Sequence, residues 1–484
     1  MGNSRRSRPA DPEAVRKDNA RQRGRSRAPA DADHPVLAAV RGALAHALAS
    51  RADDSAAARI VIALSGGRDS IALLDALARL AAAHRVTLSA MHVHHGLSAN
   101  ADAWAAFCAA ECSRRDVPLV IRRVRVEHRG GRSLEAEARS ARYAALGAAE
   151  ADFVALAHHA DDQAETLLLQ LLRGAGPHGL AAMPAQRAGR PGVVLLRPFL
   201  ALPRSVIDAY ARARGLAWVD DESNADIDVR RNFVRHEIAN RLAAAFPGYP
   251  ETLVRSAAHQ AEAATLIDEL AAEDAAGAIV VDSLCGATLS RAALIALDQR
   301  GPHRARNLLR WFLRQHELRP PSTARLKAMH EQLMHAAPDA RVTLVHGGAV
   351  IGIHRDRIAV HPPAVPAFEI AWRGEAQLAL PHGTLAFVAG TGAALRAALP
   401  NRGVVIRVRT GGERIQLAPD RQPRALKRIL HEVEMPFWVR DSLPLVFCGD
   451  TLAVVPGVGV AAAFRAPAGA AGYAVDWHPA AQRG

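Results

Sequence analysis

Two short segments carry side chains suited to chemistry. The first, Ser65-Gly66-Gly67-Arg68-Asp69-Ser70, follows a strand-like run (59–64) and opens a helix-like one (71–77). The glycines allow a sharp turn and close approach of a ligand, and successive amides at the helix start form an anion nest suited to a phosphate. No lysine follows them, so the spacing is not the Walker form. Asp69 and Ser70 add an acidic group and a hydroxyl at the mouth of the nest, suited to Mg²⁺ and to a phosphate. The second segment is Ala157-His158-His159-Ala160-Asp161-Asp162-Gln163-Ala164-Glu165-Thr166. It lies at the end of another strand-like run and enters a helix, where Asp162 and Glu165, three apart, share a face. N-capping explains one such carboxylate; two histidines, two aspartates and a glutamate together read as a site.

Positioning these segments requires strands whose carboxyl ends meet. Strand-like runs at 59–64, 87–92, 119–126 and 153–157 alternate with helix-like runs at 70–83, 101–114, 133–146 and 161–172. That alternation predicts an α/β fold with a doubly wound parallel sheet, in which ligands bind beyond the carboxyl ends of the strands. Helices follow at 253–275, 304–316 and 323–335, with Arg304, Arg306, Arg310 and Arg314 along the middle one, available to a phosphate backbone or to solvent. A strand-rich stretch (340–360) leads to Pro362, Pro363 and Pro366, read as a hinge. The last unit shows strands at 404–409 and 452–455 around a helix at 426–433.

Composition narrows the class. Half of the 484 residues are hydrophobic but only 4% are aromatic, which predicts an aliphatic core of helices on a sheet. No apolar run approaches the ~20 residues that span a bilayer, so no membrane partner is expected. Four cysteines (Cys108, Cys112, Cys285, Cys448) are too few for a disulfide framework and suit a reducing cytoplasm. Cys108 and Cys112 lack a second ligand pair and read as small buried hydrophobes. Of the formal charge of +13, +6 falls in residues 1–30, and the rest belongs to the folded part. Residues 1–35 read as a disordered basic arm without the apolar segment of a secretory signal. The remaining positive balance points to a polyanion, nucleic acid being the commonest.

The Ser65–Ser70 loop resembles that of the N-type ATP pyrophosphatases, which cut ATP between the α and β phosphates. Further segments make the resemblance specific: His92-Val93-His94-His95-Gly96-Leu97, Ala138-Arg139-Ser140-Ala141-Arg142-Tyr143, the His158–Thr166 cluster with Arg173-Gly174, the run from Trp218 to Asn224, and Arg231-Asn232-Phe233-Val234-Arg235-His236. Near the C-terminus stand Ile406-Arg407-Val408-Arg409, Gly412-Glu413-Arg414, Lys427, Pro436, Arg440-Asp441, Pro444 and Val455-Pro456-Gly457. Together they resemble the tRNA(Ile)-lysidine synthetases over residues 36–475. Two positions depart from the family pattern, Arg68 in the loop and Gly411-Gly412-Glu413 where a Gly-Asp pair is commoner.

The resemblance implies a ligase that joins free L-lysine to C2 of the wobble cytidine in a CAU-anticodon isoleucine tRNA, through an adenylated cytidine, with release of pyrophosphate and AMP. It implies a PP-loop ATP-binding catalytic domain (36–245), a helical substrate-binding domain (246–365), a linker region (366–394) and a small α+β tRNA-binding domain (395–475). Ser65, Gly66, Gly67, Arg68, Asp69 and Ser70 would hold ATP, with Asp69 on Mg²⁺. Asp162 and Glu165 would orient the lysine ammonium and help remove its proton. Arg142 would neutralise charge at the α-phosphate, with a buried ion pair as its other reading. His158 and His159 would contact ATP or the base, and Asn232 and Arg235 would face the substrate or brace the domain. Arg407, Arg414 and Lys427 would meet RNA phosphates. A metal at His92, His94 and His95 is not expected, because neighbours along a strand point to opposite faces. The oligomeric state stays open, a homodimer included. A tRNA thiolase would need a Cys-x-x-Cys pair, which the chain lacks, and amide-forming synthetases share the loop but not the rest. A non-enzymatic RNA-binding protein would not need Asp69, Asp162 and Glu165.

Overall fold

Alternation along the first strand decides the architecture of the N-terminal part. In β1 (Ala58–Ala63), Ile60 and Ile62, with Leu64 just beyond, enter one apolar cluster, while Val61 and Ala63 enter another. Both faces are therefore covered, as a parallel sheet between helical layers requires. The computed structural model describes residues 34–51, 56–126, 134–189, 192–222, 226–282, 286–337, 340–391, 395–396 and 403–479, in two compact units divided at residue 264/265.

The first unit starts with α1 (Pro35–Ala49) and continues β1, α2 (Arg68–Leu80), β2 (Val86–His94), α3 (Ala101–Ser113), β3 (Leu119–Arg123), α4 (Leu134–Gly147), β4 (Phe153–Ala155) and α5 (Ala160–Leu171). Then come α6 (Pro177–Leu180), β5 (Gln186–Ala188), β6 (Val194–Leu196), α7 (Arg204–Ala213) and a last helical stretch. That stretch is α8 (Arg230–Phe233), a π-helical turn (Val234–Ile238) and α9 (Ala239–Ala245). The sheet order is β3-β2-β1-β4-β6-β5, parallel except for edge strand β5. The chain leaves β1 toward β2 on one side, and β4 lies on the other. Their junction is the switch point of the sheet, where the ends of two strands open a crevice.

A buried polar cluster ties three helices of this unit together. Asp75 on α2 accepts from Tyr210 Oη on α7 at 2.7 Å and from Arg115 and Arg214 at 3.3 Å each; Tyr210 is 1% exposed. A hydrogen bond to a buried charged acceptor is worth about 1.5–3 kcal/mol. Tyr210→Phe should therefore cost about 2 kcal/mol in urea unfolding, and an unchanged midpoint would contradict this role.

The second unit adds strands to two stretches of the chain. It contains the C-terminal part of α10 (Tyr249–Ala276), then β7 (Ile279–Asp282), β8 (Gly286–Ser290), α11 (Arg291–Arg300), α12 (Pro302–Gln315), α13 (Thr323–His335), β9 (Thr343–His346), β10 (Ala349–His354) and β11 (Arg357–His361). The helices expected in this region are present, and a sheet ordered β7-β8-β11-β10-β9 packs with them. Leu308, Leu309, Phe312 and Leu313 of α12 pack onto Leu289, Ile351 and Ile358 of that sheet in one core.

The 366–394 stretch, expected to be a linker, holds β12 (Glu369–Trp372), β13 (Gln377–Leu380) and β14 (Gly383–Thr391). After β15 (Leu395–Arg396) come β16 (Val404–Arg407), the short pair β17 (Arg414–Ile415) and β18 (Arg424–Ala425), α14 (Leu426–Glu432), α15 (Phe437–Ser442), β19 (Leu445–Cys448), β20 (Thr451–Val455), β21 (Gly459–Val460) and β22 (Ala471–Pro479). β14 pairs with β22 along its whole length, and Trp372, 2% exposed, shares a core with Val404, Ile406 and Val446. The stretch is therefore part of the C-terminal fold. His361 stacks on Trp438 at 4.5 Å, and a Cβ at Gly352 would meet the same indole at 3.0 Å, which joins the two parts of this unit tightly. Among the described residues no helix is long and apolar enough to cross a membrane. Cys285, Asn224, Arg402, the basic arm up to residue 33 and the first residue of the helix expected at 133–146 lie outside the described residues.

Candidate active site

The phosphate loop is built at the end of β1. Gly66 has φ +87°, a left-handed conformation, and a Cβ there would sit 2.9 Å from Val219 and 3.2 Å from Cys108 Sγ. Glycine is required on both counts. Gly67 caps α2 with extended backbone; Ser70 Oγ donates to Gly67 O at 2.8 Å and lies 3.1 Å from Ser65 Oγ. Among the described residues the Ser65 and Gly66 amides donate to no protein group, the arrangement of an anion nest. Arg68 is held by Asp208 at 2.8 Å and lies 3.3 Å from Asp69.

The second segment starts at the end of β4, one strand away. His159 is the N-cap of α5, and Asp162 Oδ2 accepts from its backbone amide at 3.1 Å. The His159 ring bridges the two segments, with Nε2 3.6 Å from Asp69 Oδ2 and 3.5 Å from Asp162 Oδ2, and Nδ1 3.6 Å from Asp161. Burial alone would lower the His159 pKa, but Asp162, Asp69 and Asp161 outweigh it and the pKa is raised. Nδ1 also lies 3.4 Å from the Asp162 amide, which donates to it and completes a capping box at the start of α5. Burial would likewise raise Asp69, yet His159, Arg68 and Arg204 hold it below the ordinary carboxylate value.

Asp162 and Glu165 share a face of α5, as their spacing predicts, and that face meets two arginines. Arg231 donates to Glu165 at 2.8 Å and to Asp162 at 2.9 Å; Arg235 donates to Glu165 at 2.6 and 3.0 Å and to Asp162 at 3.1 Å. Burial raises the Asp162 pKa, but His159, Arg231 and Arg235 outweigh it and the carboxyl is held well below its usual range. A carboxylate so acidic is a poor proton acceptor. Arg231 completes this quartet, a role the sequence reading does not give it. Its signal is the four-residue spacing to Arg235, complementary to the three-residue spacing of the carboxylates. Asn232 is buried and donates to the Asp226 carbonyl at 2.9 Å, a bracing contact.

His158 and Arg142 flank the quartet. Burial pushes the His158 pKa down to about 3, so its ring is neutral at ordinary pH, and Nδ1 has no partner among the described residues. Loss of hydration, then Arg139, lowers the Arg142 pKa, while its side chain still reaches solvent. Among the described residues Arg142 makes no ion pair with a carboxylate, the alternative open in the sequence; its guanidinium lies 6.0 Å from the Tyr143 ring centre.

The His158 shift predicts a stability change with pH. Below the unfolded value near 6.5 the unfolded chain binds a proton that folded His158 refuses, so stability falls as pH drops toward about 3. His159, with its raised value, contributes fully below 6.5 and adds no slope there, and the depressed Asp69 and Asp162 lose their contribution only at lower pH. Between pH 6.5 and about 5 the His158 contribution should amount to about 2 kcal/mol. Denaturant unfolding of His158→Asn should show a pH slope smaller by that amount than the wild type; equal slopes would contradict it.

Other sequence candidates divide. Arg304 and Arg314 pair with Asp274 and Asp268, so that helix does not present four free cations to a phosphate backbone. Arg407 lies 4.1 Å over the Phe447 ring, Arg414 donates to Pro423 O, and Lys427 is exposed beside exposed Arg428. Gly411 and Gly412 take φ +98° and +84°, and Glu413 accepts from the Thr410 and Gly411 amides at 2.7 Å, so this departure from the family pattern is a turn. Burial pushes the Cys108 thiol up to about 12 and Cys112 up to about 11, which makes both unreactive. Among the described residues no three of His, Cys, Asp and Glu form a metal cage. Mg²⁺ requires none, because one carboxylate beside bound phosphates and waters suffices, and Asp69 stands at the mouth of the nest with its side chain 27% exposed.

Three family models match in order: a PP-loop domain over residues 41–242, a TilS substrate binding domain over 289–359 and a TilS substrate C-terminal domain over 404–477. The chain is similar to a tRNA(Ile)-lysidine synthase of Nitrosomonas europaea, 42% identical over 429 residues, which cover 87% of this chain and 92% of that relative. A tRNA(Ile)-lysidine synthase of Ralstonia nicotianae is 43% identical over 442 residues, with 87% of this chain and 93% of the relative covered. A phosphate loop and an acidic helix start at one switch point, continued by identity over nearly the full length of such relatives, place this chain in the tRNA(Ile)-lysidine synthase family.

Proposed function

We propose that the protein joins free L-lysine to C2 of the wobble cytidine in a CAU-anticodon isoleucine tRNA, so that the tRNA reads AUA and is charged with isoleucine. The observation that carries the reading is the bridge of His159 between Asp69 and the α5 carboxylates, which brings a nucleotide loop and a charged quartet to one crevice. ATP is seated by the Ser65–Ser70 loop, with its phosphates toward the free amides. Asp69 would hold Mg²⁺, which neutralises phosphate charge when bound.

The target base sits in a single-stranded loop and must be splayed into the crevice. Its O2 attacks the α-phosphate, pyrophosphate leaves, and Arg142 stabilises the charge that develops. The lysine ε-amine then attacks C2 and releases AMP. The quartet seats the lysine, its carboxylates matching an ammonium and its guanidinium forks matching an α-carboxylate. Asp162, held well below its usual range, orients the attacking ammonium, and Glu165 beside it on the same face is the candidate to help remove the proton. Lys427 and Arg428 supply RNA phosphate contacts, and the cytoplasm, where tRNA, lysine and ATP meet, is the place of action.

The test is incorporation of labelled lysine into the CAU transcript. It should require ATP, release pyrophosphate and AMP, and fail with a transcript bearing uridine at the wobble position. Lysine incorporation independent of ATP or of the wobble cytidine would contradict the proposal.

A further inference from the structure

The run His92-Val93-His94-His95 has no part in the chemistry above. Its three histidines do different things: His94 pairs with Asp102 at 3.2 Å, His95 Nδ1 accepts from the Leu97 amide at 3.3 Å, and His92, 5% exposed, points behind the phosphate loop. We propose that His92 is a positioning residue for ATP, aiming the Ser65 amide into the anion nest through a hydrogen bond to the Leu64 carbonyl.

His92 Nδ1 lies 2.9 Å from Leu64 O. A carbonyl only accepts, so Nδ1 carries the proton. The Leu64–Ser65 peptide is trans, and in a trans peptide the C=O and the following N–H point to opposite sides. Pinning the carbonyl back toward β2 therefore turns the Ser65 N–H forward, into the loop where the phosphate sits. The Leu64 amide is bound too, to Met91 O at 2.9 Å, so two successive residues of β2 fix both ends of Leu64. The ring itself is wedged: Cys108 Sγ lies 3.5 Å from Nδ1 and supports the back of Gly66. Val219 closes the other side by donating to Gly66 O at 3.0 Å. His92 thus sets the first amide of the nest without touching the ligand.

The inference rests on the loop binding ATP, and the test separates it from the reaction assigned above. ATP itself is titrated calorimetrically into the full chain carrying His92→Asn, His92→Gln or His92→Phe, with unfolding midpoints measured alongside. The asparagine amide falls near the position of imidazole Nδ1, whereas the glutamine amide falls near Nε2. His92→Asn should keep the ATP Kd within threefold of wild type, while His92→Gln and His92→Phe weaken it tenfold or more. Gln and Phe variants that bind ATP as the wild type does, or an Asn variant as weak as Phe, would overturn the proposal. If the Phe variant does not fold, the Asn–Gln comparison decides alone. Wild-type protein that binds ATP but incorporates no lysine would remove the assigned reaction and leave this inference standing.

Discussion

Asp69→Ala should lose lysine incorporation by about 10³-fold while staying folded. The structure separates the two effects. The partners of Asp69 keep other anchors, since His159 retains Asp161 and Asp162, and Arg68 retains Asp208. The Asp69 side chain is also 27% exposed, so its removal leaves no charge buried without a counter-ion. What disappears is the carboxylate at the mouth of the nest, where Mg²⁺ would be held. The loss should fall on kcat more than on the KM for ATP, because the loop amides remain and the nest becomes more positive. Steady-state kinetics with an unfolding midpoint close to wild type would confirm this; near-normal turnover would contradict it.

Glu165→Ala should behave differently, losing both lysine incorporation and stability. Its side chain is 4% exposed and balances Arg231 and Arg235, themselves only 20% and 24% exposed, with Asp162 as the remaining anion. Removing one partner of a buried ion-pair network leaves uncompensated charge and costs about 3–5 kcal/mol. Adding Arg235→Ala should return part of that loss, because the stranded charge goes with it; a double-mutant cycle in denaturant measures the coupling. Additive single losses would show that the quartet is not a unit.

These contrasting outcomes reflect what the sequence makes legible. The parallel sheet is readable because β1 and β4 are short apolar runs followed at once by glycine or histidine and a helix, and the site follows from the switch point between them. Asp162 and Glu165 are visible as a pair because three-residue spacing is local. Their engagement by Arg231 and Arg235 is not, because it joins residues nearly seventy positions apart. The strands from Ile279 to Ser290 escape detection because four- and five-residue runs carry no periodicity to separate them from helix ends. Pro362, Pro363 and Pro366 read as a hinge leading into a linker, while the strands that follow are fixed by pairing with β16 and β22, far along the chain.

The most direct test of a two-substrate site at this switch point separates its halves. The CAU isoleucine tRNA is incubated with ATP labelled at the α-phosphate and no lysine, and label on the tRNA is measured before and after lysine is added. Wild-type protein should place label on the tRNA and lose it as AMP when lysine arrives. Glu165→Gln, which keeps the side-chain shape, should label the tRNA but discharge it poorly, and Asp69→Ala should not label it. Absence of lysine-dischargeable label with the wild type, or equal labelling of a tRNA carrying uridine at the wobble position, would contradict the account.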